Sequence, residues 1–312
     1  AAKYALDQAT AYANDRKQFN TPIAEFGMIK EKLAEMAVKI FAAESAVYRT
    51  GGLLNDSLHS LDRSGDDAGQ VTAKGIEEYA LECSLEKIFA SEVEAYVVDE
   101  GVQIHGGYGF IAEYPIERLY RDARIRRIFE GTNEINRVLI PTTLLRRAQK
   151  GTIPLFDQVN SMMKKTGESS LVHENSSDLV QAVKDVFLFS LGNVYEKFGK
   201  DIMKQQEILA RLADIAIYAY AMESCWLRVK KATENKSQNI QLKTNMATVF
   251  IYSSIDKVII SAKEIAANIV SGTALVQMEE DLDTLTRHTA VDTITIRNKI
   301  AGSISAAGKY VA

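Results

Sequence analysis

Proline is scarce in this chain of 312 residues, with four in all, at positions 22, 115, 141 and 154. Long stretches therefore contain nothing that removes a backbone donor or crowds the preceding turn, and an all-α reading follows. Cysteine is scarcer still. Cys83 and Cys225 form no CxxC pair, which excludes a disulfide framework or a zinc ribbon and points to a reducing compartment. The cytoplasm is the expected location, or the mitochondrial matrix if the chain is eukaryotic. A charge excess is also lacking: 41 acidic residues face 37 basic ones, so net charge implies neither nucleic acid nor an acidic membrane as partner. No apolar run approaches the ~18 residues of a membrane span, and the opening stretch lacks the apolar core of a signal peptide. Strand-like alternation bounded by turns and short internal repeats are both absent, which argues against a Rossmann sheet.

What is present is helical. The 46% apolar and 25% charged content is that of a globular protein, and at roughly 150 residues per domain the length accommodates about two. The start reads as the interior of a helix, with alanines, Tyr4, Leu6 and Tyr12 at helical spacing and neither a cap nor a starting methionine before them. We therefore expect the chain to be part of a longer protein. A second helix is predicted from Phe26 to about Leu61 on the stripe of Leu33, Met36, Ala37, Ile40, Phe41, Val47 and Tyr48. Another should run from about Thr72 to His105, where Gly106 and Gly107 end it, and an irregular segment through Pro115 then leads to Arg127. Thr132 can cap the next helix, with Glu134 in its first turn.

Between Arg147 and Ser177 the apolar period fades and Gly, Ser, Thr, Asn and Lys accumulate. The expected layout is an antiparallel helical bundle over 1–148, a linker over 149–177 and a second helical bundle over 178–312, with about four helices in each bundle. Asp178 with Gln181 reads as the capping pair of the second bundle. Two stripes follow, Ile208, Leu212, Ile215, Ala219, Met222, Trp226 and Ile255, Val258, Ile259, Ala262, Ile265, Ile269. A mixed patch at Met162, Met163, Lys164 and Lys165 reads as linker chemistry rather than a membrane contact.

Four segments carry candidate chemistry. In Gln103-Ile104-His105-Gly106-Gly107-Tyr108-Gly109-Phe110, glycines at a helix end let backbone approach a ligand, or simply stop the helix. Glu130 follows Ile128 and Phe129 at a helix entrance, where apolar burial would raise its pKa to suit a general base; the same residue would favour the helix dipole, and the segment alone leaves both open. Asp15-Arg16-Lys17-Gln18-Phe19 offers a guanidinium fork for phosphate, or a solvated charge pair. Arg118, Arg121, Arg124, Arg126 and Arg127 form a dense cluster, which we read as internal ion pairing ahead of nucleic-acid binding because acids and apolar residues interleave with it. None of the four histidines stands at metal-ligand spacing, so no metal site is expected.

In order and spacing, RKQF at 16–19, QIHGGYGF at 103–110 and RDARIRRIFEGTNEI at 121–135 resemble the C-terminal helical domain of acyl-CoA dehydrogenases. The later helices look like the extra C-terminal domain of the very-long-chain type, on length and helical pattern more than motif. The resemblance implies an FAD-dependent oxidoreductase of fatty acid β-oxidation in lipid metabolism. It implies that Arg16, Phe19, Gln103, Gly106 and Gly107 touch the FAD of a neighbouring subunit, that Thr132 and Asn133 lie beside the adenosine part, and that Glu130 is the catalytic base. Glu130 would take the pro-R α-proton of a fatty acyl-CoA thioester while the β-hydrogen passes as hydride to flavin N5, giving a trans-2-enoyl-CoA. Gly131 would leave room for the thioester to approach the backbone N–H of Glu130, one of the two donors that the family directs at the enolate oxygen.

A homo-oligomer, at least a dimer, and electron-transfer flavoprotein as acceptor are the implied partners, although an acyl-CoA oxidase shares fold and base. The isolated chain is expected to be inactive, because the family places further domains before the point where it begins. The rival readings are a helical packing or oligomerisation module without catalysis and, further off, nucleic-acid binding through the arginine cluster.

Overall fold

The computed structural model describes residues 1–62, 65, 67–165 and 172–312, and among these the chain forms twelve α-helices and one two-residue hairpin. The all-α expectation holds. Helix α1 (Ala2–Asp15) ends at Arg16 and passes into the hairpin of β1 (Lys17–Gln18) and β2 (Thr21–Pro22), paired antiparallel with Lys17 opposite Pro22. The two residues at its tip, Phe19 and Asn20, have φ of 50° and 61°, the signature of a turn whose twist matches paired strands. The long helix α2 (Gly27–Ser60) follows and buries Leu33, Met36, Ala37, Ile40 and Phe41 as its stripe predicts, whereas Val47 and Tyr48 of that stripe stay outside.

Two sequence expectations need correction here. The helix read from Thr72 to His105 is two, α3 (Ala68–Glu77) and α4 (Ala80–His105), separated at Glu78 and Tyr79. The segment read as irregular contains α5 (Pro115–Ile125), which starts with proline at its first position, where the missing N–H costs nothing. Helix α6 (Asn133–Gln149) begins behind Thr132, whose Oγ1 accepts from the N–H of Ile135 at 3.3 Å, as expected of that cap.

The stretch read as linker also holds a helix, α7 (Leu155–Lys165), with Leu155, Val159 and Met162 buried and Met163 partly so. The two methionines thus face protein rather than a membrane, and no described helix is long and apolar enough to cross one. The remaining helices are α8 (Ser176–Phe198), α9 (Gln206–Glu234), α10 (Ile240–Ile269), α11 (Thr273–Thr286) and α12 (Thr293–Ala307). Helix α8 is capped one turn earlier than predicted, by Asn175, whose Oδ1 accepts from the N–H groups of Ser177 and Asp178 at 3.1 Å each; Gln181 instead donates to Asp185. The two apolar stripes on α9 and α10 are buried as read, with Trp226 and Ile259 at their margins.

Helix α4 is the axis of the first half: α1, α2, α5 and α6 all pack on it. Helices α8, α9 and α10 form the second bundle, yet the buried apolar cluster runs without a break from Ala5 to Ile304. Helix α2 also packs on α9, α10 and α12, and α6 lies on α9. Arg137 ties the halves together. Its guanidinium donates to both carboxylate oxygens of Glu92 on α4, at 2.8 and 3.1 Å, and to Asp214 on α9 at 2.8 Å.

Candidate active site

Helix α4 presents the candidate residues at two places along its length. At its C-terminal end Gly106 takes φ +59°, a conformation only glycine adopts without strain, and a Cβ at Gly106 or Gly107 would meet nothing within 4 Å. Gly109 has a different reason for being glycine, since a Cβ there would strike the Val102 carbonyl at 2.6 Å. Beneath the turn His105 is buried, hydrogen-bonded through Nδ1 to the Gly101 carbonyl at 2.7 Å and stacked on Tyr12 of α1 with centroids 4.4 Å apart. Burial holds its pKa below the ordinary histidine value. This stack brings α1 alongside α4, so that Arg16 and Gln18 line the same cleft as His105, Gly106, Gly107 and Tyr108, a space of about 520 Å³. Arg16 enters no ion pair among the described residues, Gln103 is exposed, and Phe19 stands 84% exposed on its hairpin. The structure thus brings Arg16 and Gln18 of the first motif to residues 104–108 of the second in one open corner, while Phe19 and Gln103 do not line it.

The second place is the turn between α5 and α6. Glu130 (φ +55°) and Gly131 (φ +80°) are both left-handed, reversing the chain so that α6 starts against α4. Lys87 of α4 donates to the Gly131 carbonyl at 2.6 Å and to Asn133 Oδ1 at 2.7 Å; Asn136 Nδ2 donates to the Gly131 and Thr132 carbonyls at 2.9 and 3.1 Å. Burial lowers the Lys87 pKa, and Glu134, Glu92 and Glu130 oppose that shift, which puts Glu130 within electrostatic reach of this ammonium. Among the described residues Glu130 has no ion pair or hydrogen bond through its carboxylate, and its N–H is not spent on the chain.

The sheltered position expected for Glu130 is not found. It is exposed, and so are the preceding Ile128 and Phe129, at 46% and 49%, so all three lie on the surface of this chain. It also does not share the cleft of the glycine corner: Asn133 meets α4 at Ser91, and His105 lies roughly 20 Å further along the rod at about 1.5 Å per residue. Asn133 itself is turned inward. Its side chain, 3% exposed, donates to Ser91 and Glu92 at 3.1 Å each and accepts from Lys87, so only its backbone can face a ligand. Lys87 and Asn136, which hold this turn, and Arg137, which holds Glu92 beside Asn133, were not singled out from sequence. The signal was the Lys87 and Ser91 pair one turn apart on α4, invisible until the partner helix is known.

Of the arginine cluster, Arg126 Nε bonds the buried Glu94 at 3.0 Å and Arg121 pairs with Glu117 at 3.5 Å. Internal pairing accounts for these two; among the described residues Arg118, Arg124 and Arg127 have no ion pair. No cluster of potential metal ligands exists among the described residues, and both cysteines are free, Cys225 buried with its thiol pushed up to about 12.

Comparison with known proteins places this geometry. Two family profiles, each described as acyl-CoA dehydrogenase, C-terminal domain, match residues 1–145 and 182–282. A probable acyl-CoA dehydrogenase of Bacillus subtilis is 43% identical over 99% of this chain and 53% of its own length. The mitochondrial very long-chain specific acyl-CoA dehydrogenase of Rattus norvegicus is 32% identical over 70% of the chain and 34% of its own. Among solved structures, an acyl-CoA dehydrogenase from Bacillus anthracis, complexed with FAD, superposes with a TM-score of 0.96 and 43% identity, covering all of this chain and 54% of that one. The chain thus spans about half the length of these full relatives or less. On the two profiles, the identity along nearly its whole length and the shared fold, it belongs to the acyl-CoA dehydrogenase family and matches that family's C-terminal helical region.

Proposed function

We propose that this chain is the C-terminal part of an FAD-dependent acyl-CoA dehydrogenase that converts a fatty acyl-CoA to its trans-2-enoyl-CoA in fatty acid β-oxidation. The observation that carries the reading is residue 130, where one left-handed residue offers both an unpaired carboxylate and an unspent N–H. A carbon acid next to a thioester needs a base on Cα and a donor on the carbonyl oxygen, and a single residue that supplies both fixes their relative position. Lys87 and Asn136 grip the following carbonyl and hold the turn in place. Gly131 keeps the approach to that N–H free of a side chain, and a Cβ there would also press on Asn136 Nδ2 at 3.1 Å.

The corner fits FAD by its donor set: an unpaired guanidinium at Arg16, the exposed amide of Gln103, bare backbone at Gly106 and Gly107, and the Phe19 ring for a planar group. FAD, when bound, supplies the acceptor for the β-hydrogen. Thr132 and the backbone of Asn133 would sit beside the adenosine part of the flavin served by Glu130. Because the corner and Glu130 stand apart along α4, they serve two different flavins, with each corner completing the site of a neighbouring copy; a homodimer or larger assembly follows. Electron-transfer flavoprotein is the proposed acceptor. The exposure of Glu130 supports the companion proposal that the isolated chain is inactive, since nothing in it shelters the base. Residues 1–148 and 178–312 are proposed as two domains joined by 149–177, although they share one buried cluster.

The test is a full-length protein carrying this sequence. It should oxidise acyl-CoA, and Glu130→Gln should keep the flavin colour and lose turnover. A Glu130→Gln protein with undiminished activity would remove the reading, and an isolated chain that binds FAD tightly and turns over would remove the claim of inactivity.

A further inference from the structure

The turn that carries Glu130 belongs to the first half of the chain, yet its hydrogen bonds can be followed without a gap into the second. Lys87 of α4 donates to the Gly131 carbonyl at 2.6 Å and to Asn133 Oδ1 at 2.7 Å. Asn133 Nδ2 donates to Glu92 Oε1 at 3.1 Å, and the two oxygens of Glu92 accept from the terminal nitrogens of Arg137 at 2.8 and 3.1 Å. Arg137 Nε then donates to Oδ1 of Asp214, on α9 of the second bundle, at 2.8 Å. Asn133 is buried, and the side chains of Arg137 and Asp214 are only 19% and 24% exposed, so water competes little with these bonds. A guanidinium that spends Nε on one acid and both terminal nitrogens on another is fixed in its plane. The place of Asp214 therefore bears on where the Glu92 carboxylate sits, and Glu92 in turn orients the Asn133 amide.

We propose that Asp214 is a positioning residue for the Glu130 turn: through Arg137, Glu92 and Asn133, the second bundle fixes where residue 130 is aimed. The inference rests on the catalytic role proposed above for Glu130. It gives the later helices a part in the reaction, although none of the candidate site residues lies on them. Two other ion pairs join the halves, Arg49 of α2 with Glu223 of α9 and Glu44 of α2 with Arg228 of α9, each at 2.9 Å. Neither is hydrogen-bonded into the turn among the described residues, so they tie the halves without reaching Glu130.

The test uses the full-length protein carrying this sequence. Asp214→Ala should lower kcat about three- to tenfold at unchanged flavin content, with KM within about twofold, because a misaimed base slows chemistry more than binding. Asp214→Asn, which keeps an oxygen for Arg137 Nε, should recover most of the loss. Glu223→Gln, which weakens a tie made by the same helix, should leave kcat at the parent value. Amide exchange in the stretch 129–134 should accelerate in Asp214→Ala and not in Glu223→Gln. If Asp214→Ala does not fold, Arg137→Lys, which keeps the charge but not the fork, carries the same measurements. Parent-like kcat and exchange in Asp214→Ala, or an equal loss in Glu223→Gln, overturns the proposal. Glu130→Gln separates this failure from that of the reading beneath it. Undiminished turnover in Glu130→Gln removes the catalytic role and the proposal with it, whereas lost turnover there beside a parent-like Asp214→Ala removes only the part given to Asp214.

Discussion

The two ends of α4 solve opposite problems with the same backbone device. Both the glycine corner and the Glu130 turn use left-handed residues, but the turn is clamped by Lys87, Asn133 and Asn136 while the corner backbone is bare, braced from beneath by His105, Tyr12 and Tyr114 packed on one another. A dense set of hydrogen bonds suits a group that must be aimed; open glycine backbone suits a surface that must receive. On the proposed function, this difference would put chemistry at the clamped turn and binding at the bare corner.

The largest expected effect is at the aimed end. Glu130→Gln in the full-length protein should lower kcat by about 10²–10⁴ with the flavin retained, measured by acyl-CoA oxidation and the visible spectrum. Loss of flavin without loss of rate per bound flavin would reverse the roles of the two ends. Next is the clamp: Asn133→Ala leaves Lys87, Ser91 and Glu92 short of partners and should cost about 1–3 kcal/mol in denaturant unfolding, lowering kcat more than it raises KM. At the receiving end, Gly106→Ala forces a side chain into φ +59° and should cost about 1–3 kcal/mol, chiefly as weakened FAD retention. Were it to slow chemistry with flavin fully bound, the division would fail.

The smallest effect is in pH. His105 has a folded pKa below its unfolded value of 6.5, so the stability it contributes is complete above 6.5 and is lost as pH falls through the lower folded value. Hydrogen exchange at the C-terminal end of α4 should therefore accelerate on acidification below 6.5. The turn should lag behind, because Glu134 is held below the ordinary carboxylate value by its own N–H and the Thr132 hydroxyl and loses its charge only further toward acid. Simultaneous loosening of both ends would show that the stack is not what braces the corner.

Much of this was legible beforehand, and the particular residues show why. Gly106 stops α4 and Thr132 caps α6 because those are local demands of backbone geometry, written within a few residues of the place where they act. The stripes on α2, α9 and α10 were legible because burial follows the helical period. The breaks were less so: Glu78 and Tyr79 interrupt a helix without proline or glycine, α5 hides in an arginine-rich stretch, and α7 shows only a short apolar face in polar surroundings. The sheltering of Glu130 was read from the apolar neighbours Ile128 and Phe129, but sequence neighbours share a turn, and this turn carries all three to the surface.

By itself, then, the sequence determined the all-helical fold, the helix ends at Gly106 and Thr132, and the three motifs, since each rests on interactions spanning a turn or two of chain. Only the tertiary structure decided that Arg16 lines a cleft with Gly106, that Lys87 and Asn136 grip Gly131, and that Glu130 stands apart from the glycine corner. Those relations join residues on different helices, and they depend on which face of each rod is buried and how the rods are offset along one another.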